Sequence, residues 1–141
     1  MRILFREEID DVLANAGYGF LGLARENRPY VLPMSFGYDG DDLYFQMNSL
    51  GRKFEYIDGE TAACLAVLSM DQETGISKSI LIEGDLREIS EERVVTAYEA
   101  LAETANFGTD FFLWGMPLQD AEPTLFMLRP EDVSGRIFGE Q

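Results

Sequence analysis

The sequence predicts a mainly β fold, a closed or partly closed antiparallel β-barrel with flanking helices. About six short apolar stretches of strand length are separated by turn residues, and two or three segments show helical spacing. These strands do not alternate regularly with helices, as they would in a doubly wound parallel sheet. With 141 residues, the chain is expected to form one domain, residues 1–141, around a single core.

The first half of the chain predicts one helix and three strands. Apolar residues recur at helical spacing over Phe5–Ala16, and Gly17 is a suitable C-terminal stop for that helix. Strands are then expected at Tyr18–Arg25, Tyr30–Tyr38 and Leu43–Asn48. Polar turns join them, and the second turn opens with an Asp-Gly pair, which is a strong hairpin signal. Two successive antiparallel hairpins are therefore predicted.

The second half of the chain predicts two helices and three further strands. Ser90 is a good N-cap, because acidic residues follow it in the first turn, where the helix dipole favours them. Gly84 interrupts an apolar stretch and indicates a bulge or bend. The predicted elements are a short helix at Arg52–Ile57, strands at Ala62–Leu68 and Ser79–Ile89, a helix after Ser90, and a last strand at Thr124–Arg129.

The chain is strongly acidic, with 26 acidic and 11 basic residues and a formal net charge of −15. Such a balance repels nucleic acid and anionic membrane surfaces, so neither is expected as a partner. Lys53 and Lys78 are the only lysines. An acidic, lysine-poor surface predicts a halophilic protein, because concentrated salt screens the self-repulsion over a Debye length of about 3 Å at 1 M. A mesophilic protein that is merely acidic is the alternative.

Histidine is absent, and Cys64 is the only cysteine. Ser-His-Asp and Cys-His catalysis and most zinc and haem sites require an imidazole, so no metal site is expected. A demanding reaction would instead require a bound organic cofactor. Cys64 lies among small and apolar neighbours and is expected to be a buried, inert thiol. The sequence predicts a cytoplasmic protein. A single cysteine fits a reducing compartment, the charged N-terminal stretch does not resemble a signal peptide, and no apolar run reaches the about 20 residues of a membrane-spanning helix.

Two short motifs match known ligand-binding patterns, but the first does not have the structural context that its function requires. Residues 17–22 match G-x-G-x-x-G, but they follow a predicted helix and enter a predicted strand, the reverse of the dinucleotide-binding arrangement. The segment Gly51–Lys53 is more informative, since it places two cations beside a flexible backbone at a loop-to-helix junction. Arginine and lysine bind a phosphate dianion through charge-assisted hydrogen bonds. Taken alone, this motif fits a solvated basic pair better than a phosphate site.

A wider pattern connects these segments. The stretch from about Tyr18 to Ile89 resembles the pyridoxamine 5′-phosphate oxidase-like FMN-binding split barrels, and most closely their nitroimidazole reductase-like branch. The similar segments occur in the same order, and they are P-M-S-F-G-Y-D-G at Pro33–Gly40, L-Y-F at Leu43–Phe45, G-R-K at Gly51–Lys53, S-I-L-I-E-G at Ser79–Gly84 and the tail Leu128–Arg136. The resemblance implies a split barrel that binds flavin mononucleotide (FMN) at the interface of a homodimer.

The resemblance also implies the residues of the cofactor site. The second strand would run beside the isoalloxazine ring, and the loop after the third would hold the phosphate. The implied contacts are Pro33, Met34, Ser35 and Phe36 at the ring, Gln46, Met47 and Asn48 near the ring or ribityl chain, Arg52 and Lys53 at the phosphate, and Ser79 from a strand that crosses nearby. No residue stands out as an acid or base, so no catalytic residue is predicted.

The predicted function is an FMN-dependent oxidoreductase that passes electrons from a reduced nicotinamide or flavin donor to a small-molecule electron acceptor. The chain differs from the family pattern at two places that bear on the specific activity. Tyr44-Phe45-Gln46 stands where nitroimidazole reductases often have Tyr-Phe-His, and the tail lacks the Arg- and His-rich ending of true pyridoxamine phosphate oxidases. Neither specific activity is therefore predicted. A deazaflavin cofactor, a non-catalytic flavin-binding protein and a cofactor-less barrel acting as an interaction module are the alternatives. The aromatic segment Phe111–Pro117 is expected to anchor the homodimer.

Overall fold

The structure is a computed structural model that describes residues 1–48, 55–57, 59, 61–104 and 123–141. Over these ranges the chain forms eight β-strands, two α-helices and a short 3-10 helix. In chain order they are β1 (Arg2–Ile3), α1 (Arg6–Ala16), β2 (Tyr18–Arg25), β3 (Arg28–Ser35), β4 (Gly37–Tyr38), β5 (Leu43–Asn48), β6 (Thr61–Met70), β7 (Ser77–Glu88), the 3-10 helix (Glu91–Arg93), α2 (Val94–Thr104) and β8 (Pro123–Phe138). None of the described helices is both long and apolar enough to span a membrane.

The strands form one antiparallel sheet in the order β3–β2–β6–β7–β8–β5–β4, with β1 paired to the far end of β8. The chain passes from β3 directly into β4 at Phe36, so a single stretch of chain forms both edges of the sheet and curls it into a barrel. Among the described residues, β3 and β5 approach each other without forming a ladder. The predicted fold class, a mainly β split barrel with flanking helices, is confirmed.

Two apolar clusters hold the sheet and the two helices together. The larger one fills the barrel, where inward-facing side chains from the six longer strands pack against α1. Its fully buried members include Leu21, Phe36, Phe45, Leu65, Ile80, Ile82 and Leu86. The smaller cluster lies outside the barrel, where α2 covers Tyr44, Leu125 and Met127. The sheet therefore buries its inner face along its whole length but only part of its outer face.

The last strand is longer than the sequence predicts. A strand was expected at Thr124–Arg129, yet β8 continues to Phe138. The reason is a β-bulge: Gly84 of β7 lies opposite Pro130, and the register then shifts by one residue, which leaves Glu131 extra. Proline lacks the N–H donor of a regular ladder, and a bulge is a position at which a strand tolerates it. The bulge predicted at Gly84 is confirmed.

The strand predicted at Tyr30–Tyr38 also differs from the observed one. It begins at Arg28, because the connection to β2 is a turn of only two residues, Glu26 and Asn27, with φ angles of 51° and 64°. Both angles are left-handed, as in the mirror-image turns that match the twist of a hairpin. The predicted strand is then interrupted at Phe36, where the chain crosses from one edge of the sheet to the other. The sequence predicts a turn here but not its two-residue length, since the turn contains no glycine. The interruption at Phe36 has no local signal, because it depends on which strands pair in the sheet.

Both longer helices are confirmed. α1 ends at Gly17, whose φ of 81° is the left-handed conformation that glycine adopts readily after a helix. α2 follows Ser90 and the 3-10 helix, but the Ser90 side chain makes no capping hydrogen bond. The expectation that Ser90 caps the helix through its hydroxyl is therefore wrong, because a 3-10 turn separates it from α2. The short helix predicted at Arg52–Ile57 lies largely outside the described residues.

Candidate cofactor site

An opening, which we call the split, lies between the edge of β3 and the second half of β5. β4 pairs with only the first two residues of β5, so among the described residues the rest of that strand faces β3. The predicted segments Pro33–Phe36 and Gln46–Asn48 flank the split, and continuing the β4–β5 register would place Ser35 opposite Gln46. The side chain of Asn48 lies outside the described part of the structure. Closure of the barrel thus brings together two segments that lie far apart in the order of the sheet.

β3 turns one backbone edge toward the split. Phe36 donates its N–H to the Gly17 carbonyl, and hydrogen-bonded pairs alternate along an antiparallel ladder. From the β2–β3 register, the N–H groups of Val31 and Ser35 therefore point away from β2, whereas Pro33 between them has none. This proline prevents a continuous ladder with a further strand. The edge can instead offer single backbone donors and carbonyl acceptors to a planar polar ligand.

The side chains of the predicted ring contacts divide between two faces. Met34, Phe36 and Met47 are buried in the barrel core. Pro33 is exposed on the outer side of β3, and Gln46 is half-buried on the outer side of β5. A ligand in the split would therefore meet the first three residues through backbone atoms and a packed apolar wall, not through exposed side chains.

The predicted phosphate loop, Gly51–Lys53, contains both predicted phosphate ligands and lies outside the described residues. The chain just after it is described, and two contacts hold it to the β2–β3 hairpin. Arg25 Nη1 donates to the Glu55 carbonyl oxygen at 3.0 Å, and the rings of Tyr30 and Tyr56 stack with centroids 5.0 Å apart and planes 10° apart. The hairpin therefore positions the segment that follows the predicted loop.

Ser79 lies far from the split in the same chain. It is on β7, three strands from β3 in the sheet order, which corresponds to about 14 Å at the usual strand spacing. It lines a groove of about 110 Å³ on the outer face of the sheet, together with Leu81, Ser134, Gly135 and Arg136. Arg136 lies directly opposite Ser79 in the β7–β8 register. Within one chain, Ser79 is therefore separated from the other predicted contacts that flank the split.

Sequence reasoning missed Ser134 and Arg136 as companions of Ser79. Both follow Arg129, where the last strand was expected to end, so nothing in the sequence placed them beside β7. The available signal was the tail motif Leu128–Arg136, to which the family resemblance assigned no role. Hydroxyl groups and a guanidinium on one face can bind an anionic or carbonyl group.

The outer face, the side of β2, β3, β6, β7 and the end of β8 that points away from the barrel core, is apolar. The described residues leave it uncovered, since α2 lies over β5 and the start of β8. Its large apolar side chains are 43–68% exposed, and they are Tyr18, Phe20, Val31, Leu68, Met70, Leu81 and Phe138. Soluble monomers seldom expose so many large apolar side chains on one face unless that face binds a partner or ligand.

Cys64 belongs to the outer face, where it lies between Gly22 and Glu83 in the registers of β2 and β7. Cys64 is half-buried, whereas a fully buried thiol was expected. The reason is that no other part of the described chain covers this side of β6. Burial, and secondly the carboxylate of Glu83, raise the pKa of the thiol. The raised pKa keeps Cys64 protonated, which agrees with the expected lack of reactivity.

Two tyrosines with raised pKa values, Tyr38 and Tyr44, lie near α1 and α2, away from the split. Burial and the hydrogen bond to Asp10 (2.6 Å) raise the pKa of Tyr38 to about 12. Burial and the hydrogen bond to Asp39 (2.7 Å) raise the pKa of Tyr44 to about 12. Both phenols therefore stay protonated at neutral pH and act as structural donors. The described residues also contain no group of three or more potential metal ligands.

Comparison with known proteins supports one family and one fold. A sequence model of the family described as "Pyridoxamine 5'-phosphate oxidase" matches residues 6–137, whereas a search of the curated proteins finds no match. A FAD-binding protein from Mesorhizobium loti is 23% identical and has a similar structure, with a TM-score of 0.78 over 99% of this chain and 97% of that chain. A FAD-binding protein from Mycobacterium smegmatis is 18% identical, with a TM-score of 0.74 over 97% of this chain and 99% of that chain.

A third solved structure has a similar fold. It is a candidate 5-nitroimidazole antibiotic resistance protein from Bacteroides thetaiotaomicron, 20% identical, with a TM-score of 0.69 over 98% of this chain and 87% of that chain. The family match itself runs from the start of α1 almost to the end of β8. With a split barrel of the same architecture, this chain therefore belongs to the pyridoxamine 5′-phosphate oxidase family.

Proposed function

We propose that this protein is a flavoprotein that binds FMN along the split and passes electrons from a reduced nicotinamide or flavin donor to a small-molecule electron acceptor. The observation that carries this proposal is the placement of Pro33–Phe36 and Gln46–Asn48 on the two sides of the split. An isoalloxazine ring has apolar faces and a polar edge, so it suits an apolar wall beside an edge strand that offers backbone donors and acceptors.

The protein's own residues would bind and orient the cofactor, and the flavin would supply the redox chemistry when bound. Met34 and Met47, packed in the core beneath the split, would exclude water from one side of the ring. The N–H group of Val31, which points away from β2, would donate a hydrogen bond to the polar edge of the ring. Arg52 and Lys53 would bind the phosphate through charge-assisted hydrogen bonds.

FAD is the second candidate cofactor, because two proteins of similar fold are FAD-binding proteins. FMN carries one phosphate, for which Gly51–Lys53 is the predicted site. FAD carries a second phosphate and an adenosine, and it therefore needs further cationic groups near that loop.

The decisive experiment is the absorption spectrum of the protein purified in molar salt, followed by mass spectrometry of any released cofactor. Reduction by NADH or NADPH and reoxidation by nitro compounds, quinones or oxygen then measures turnover. A yellow protein that turns over supports the oxidoreductase, and a yellow protein without turnover supports a flavin-binding protein. A colourless protein that does not retain added FMN or FAD contradicts the proposal and favours an interaction module.

We further propose that the protein is a homodimer in which the outer faces of two copies meet. A second copy presents the same apolar surface, as a two-fold symmetric interface requires. Pairing would also allow the groove with Ser79 and Arg136 of one copy to complete the split of the other. That arrangement would unite the two parts of the predicted site, which lie about 14 Å apart within one chain. The anchor predicted at Phe111–Pro117 lies outside the described residues.

The dimer is tested by light scattering at micromolar concentration in molar salt, where we expect twice the 15.9 kDa mass of one chain. Leu68→Glu on the outer face should shift the protein to monomers, because it would bury a charge at the interface. Val95→Glu on α2 is the matched control, since Leu68 is 58% exposed and Val95 is 67% exposed. A wild-type monomer, or equal dissociation by both variants, would rule out this interface.

The net charge of −15 leads us to propose that folding depends on salt. The ion pairs of Arg2 with Glu8 and Glu140, and of Arg6 with Asp10, lie at the surface or are only partly buried, so salt screens them and they contribute little to stability. Screening of the excess negative charge should outweigh their loss, so molar KCl should raise the melting temperature by roughly 10 °C over dilute buffer. Sucrose of equal osmolality is the control, and a melting temperature indifferent to KCl would refute the halophilic interpretation.

A further inference from the structure

The chain that leaves β3 at the split, Phe36–Tyr38, has backbone donors that the sheet does not fully satisfy. We call this segment the crossover. The Phe36 N–H is accepted by the Gly17 carbonyl oxygen at 3.1 Å. Asp39 donates its N–H to the Asp42 carbonyl oxygen across the β4–β5 pair, and hydrogen-bonded pairs alternate along an antiparallel ladder. The Tyr38 N–H therefore points away from β5, on a side where the described residues place no strand beside β4.

Thr104, the last residue of α2, accepts this remaining N–H. The distance from the Tyr38 nitrogen to Thr104 Oγ1 is 2.7 Å. The hydroxyl proton of Thr104 has its nearest acceptor one helical turn back, at the Ala100 carbonyl oxygen, 2.9 Å away. With its proton directed to the helix, the oxygen presents a lone pair to Tyr38. Because Tyr38 is buried, its N–H would be without a partner if the hydroxyl were removed.

The two helices fix the crossover from both sides. α2 lies so close that a methyl group on Gly37 would overlap the backbone of Ala100 and Leu101. On the other side, the Tyr38 hydroxyl donates to Asp10 of α1 at 2.6 Å. The end of α2 therefore cannot shift without moving the crossover, and the hydrogen bond to Thr104 ties the two together.

We propose that Thr104 is a positioning residue for the flavin site, because it holds the crossover and so sets the width of the split. The inference rests on the proposed function, in which the isoalloxazine ring lies along Pro33–Phe36. That segment leads into the crossover without a break, and the Val31 N–H is on the same edge of β3. Releasing Tyr38 from α2 would therefore change the spacing and direction of the backbone groups that the ring contacts.

The test compares Thr104→Val, which keeps the shape of the side chain but removes the hydroxyl, with Thr104→Ser, which keeps the hydroxyl. With Thr104→Val, the affinities for riboflavin and FMN should fall by the same factor, roughly 5-fold, because both carry the same ring. The visible absorption band of the bound flavin should also shift, since it depends on hydrogen bonds at the ring edge. Thr104→Ser should restore affinity and band.

Thr96→Val is the matched control on the same helix, since Thr96 is also half-buried and the described residues give its side chain no hydrogen bond. It should leave both flavin affinities and the absorption band unchanged. A lower melting temperature in Thr104→Val, with affinity and band as in wild type, would make Thr104 purely structural and overturn the inference. A loss for FMN but not for riboflavin would also overturn it, because the effect would then concern the phosphate.

Amide hydrogen exchange at Tyr38, followed by NMR without flavin, tests the contact separately from cofactor binding. Exchange at this amide should be about 10-fold faster in Thr104→Val and unchanged in Thr104→Ser and Thr96→Val. Equal protection of Tyr38 in Thr104→Val and wild type would overturn the inference. A protein that binds no flavin but shows the faster exchange would refute the proposed function and leave Thr104 as the residue that holds the crossover.

Discussion

Replacing Gly84 by alanine is expected to destabilise the fold by about 3 kcal/mol, which lowers the melting temperature by roughly 10 °C for a domain of this size. A methyl group on Gly84 would overlap the carbonyl oxygen of Arg129 on β8. That obstacle is backbone within the long β7–β8 ladder, so it cannot move without disturbing the pairs on both sides of the bulge. The measurement is thermal or urea unfolding in molar salt.

Gly22→Ala is the matched control for this prediction. Gly22 is also in a central strand, but the nearest atom that its methyl group would meet is the Cys64 carbonyl oxygen, at an ordinary contact distance of 3.5 Å. Alanine restricts the unfolded chain more than glycine does, so the free energy of unfolding should be unchanged or higher by up to about 1 kcal/mol. If Gly84→Ala were as stable as Gly22→Ala, the β7–β8 bulge described above would be incorrect.

Replacing Lys53 by alanine is expected to weaken FMN binding about 10- to 100-fold. The change removes one charge-assisted contact with the phosphate, worth roughly 1.5–3 kcal/mol, and about 1.4 kcal/mol corresponds to a factor of ten. Riboflavin lacks the phosphate, so its affinity should hardly change. The measurement is a flavin fluorescence titration at fixed high salt, because screening would otherwise alter the comparison.

Riboflavin also serves as the control for folding, since a misfolded variant would lose both flavins equally. Arg52→Ala should act in the same direction as Lys53→Ala, and more strongly if its guanidinium binds the phosphate through two hydrogen bonds. The two cations would share one dianion, so the double variant need not lose the sum of both effects. Equal losses for FMN and riboflavin, or no loss for either, would place the phosphate elsewhere.

Local sequence patterns predicted the elements whose signals are complete within a few residues. The strands at Tyr18–Arg25 and Leu43–Asn48 were predicted with the observed ends, because apolar runs of strand length are bounded there by turn residues. α1 was predicted to within one residue, because its apolar spacing and its terminal glycine agree. β8 was underestimated by nine residues at its C-terminal end, since its continuation depends on a bulge opposite another strand.

The candidate site also combines features that the sequence indicated with features that depend on how the strands pair. Family resemblance indicated which segments are involved, and closure of the barrel places Pro33–Phe36 and Gln46–Asn48 on the two sides of one opening. The pattern of residues gave no means of knowing that Ser79 is three strands away, nor that Arg136 is beside it. Those distances depend on which strands pair in the sheet. The secondary-structure preferences of neighbouring residues do not determine that pairing when the strands are far apart in sequence.

By itself, the sequence determined the mainly β class, the hairpins, the excess of acidic residues and the exclusion of imidazole chemistry. Each of these follows from composition or from periodicity over a few residues, so no knowledge of the folded chain is required. Only the tertiary structure decided which faces are buried, where the barrel splits, and which residues of distant strands lie opposite each other. Those properties arise from the register of paired strands, and a shift of one residue would turn every side chain to the other face. The uncovered outer face and the position of Arg136 beside Ser79 were therefore visible only once the strands were in register.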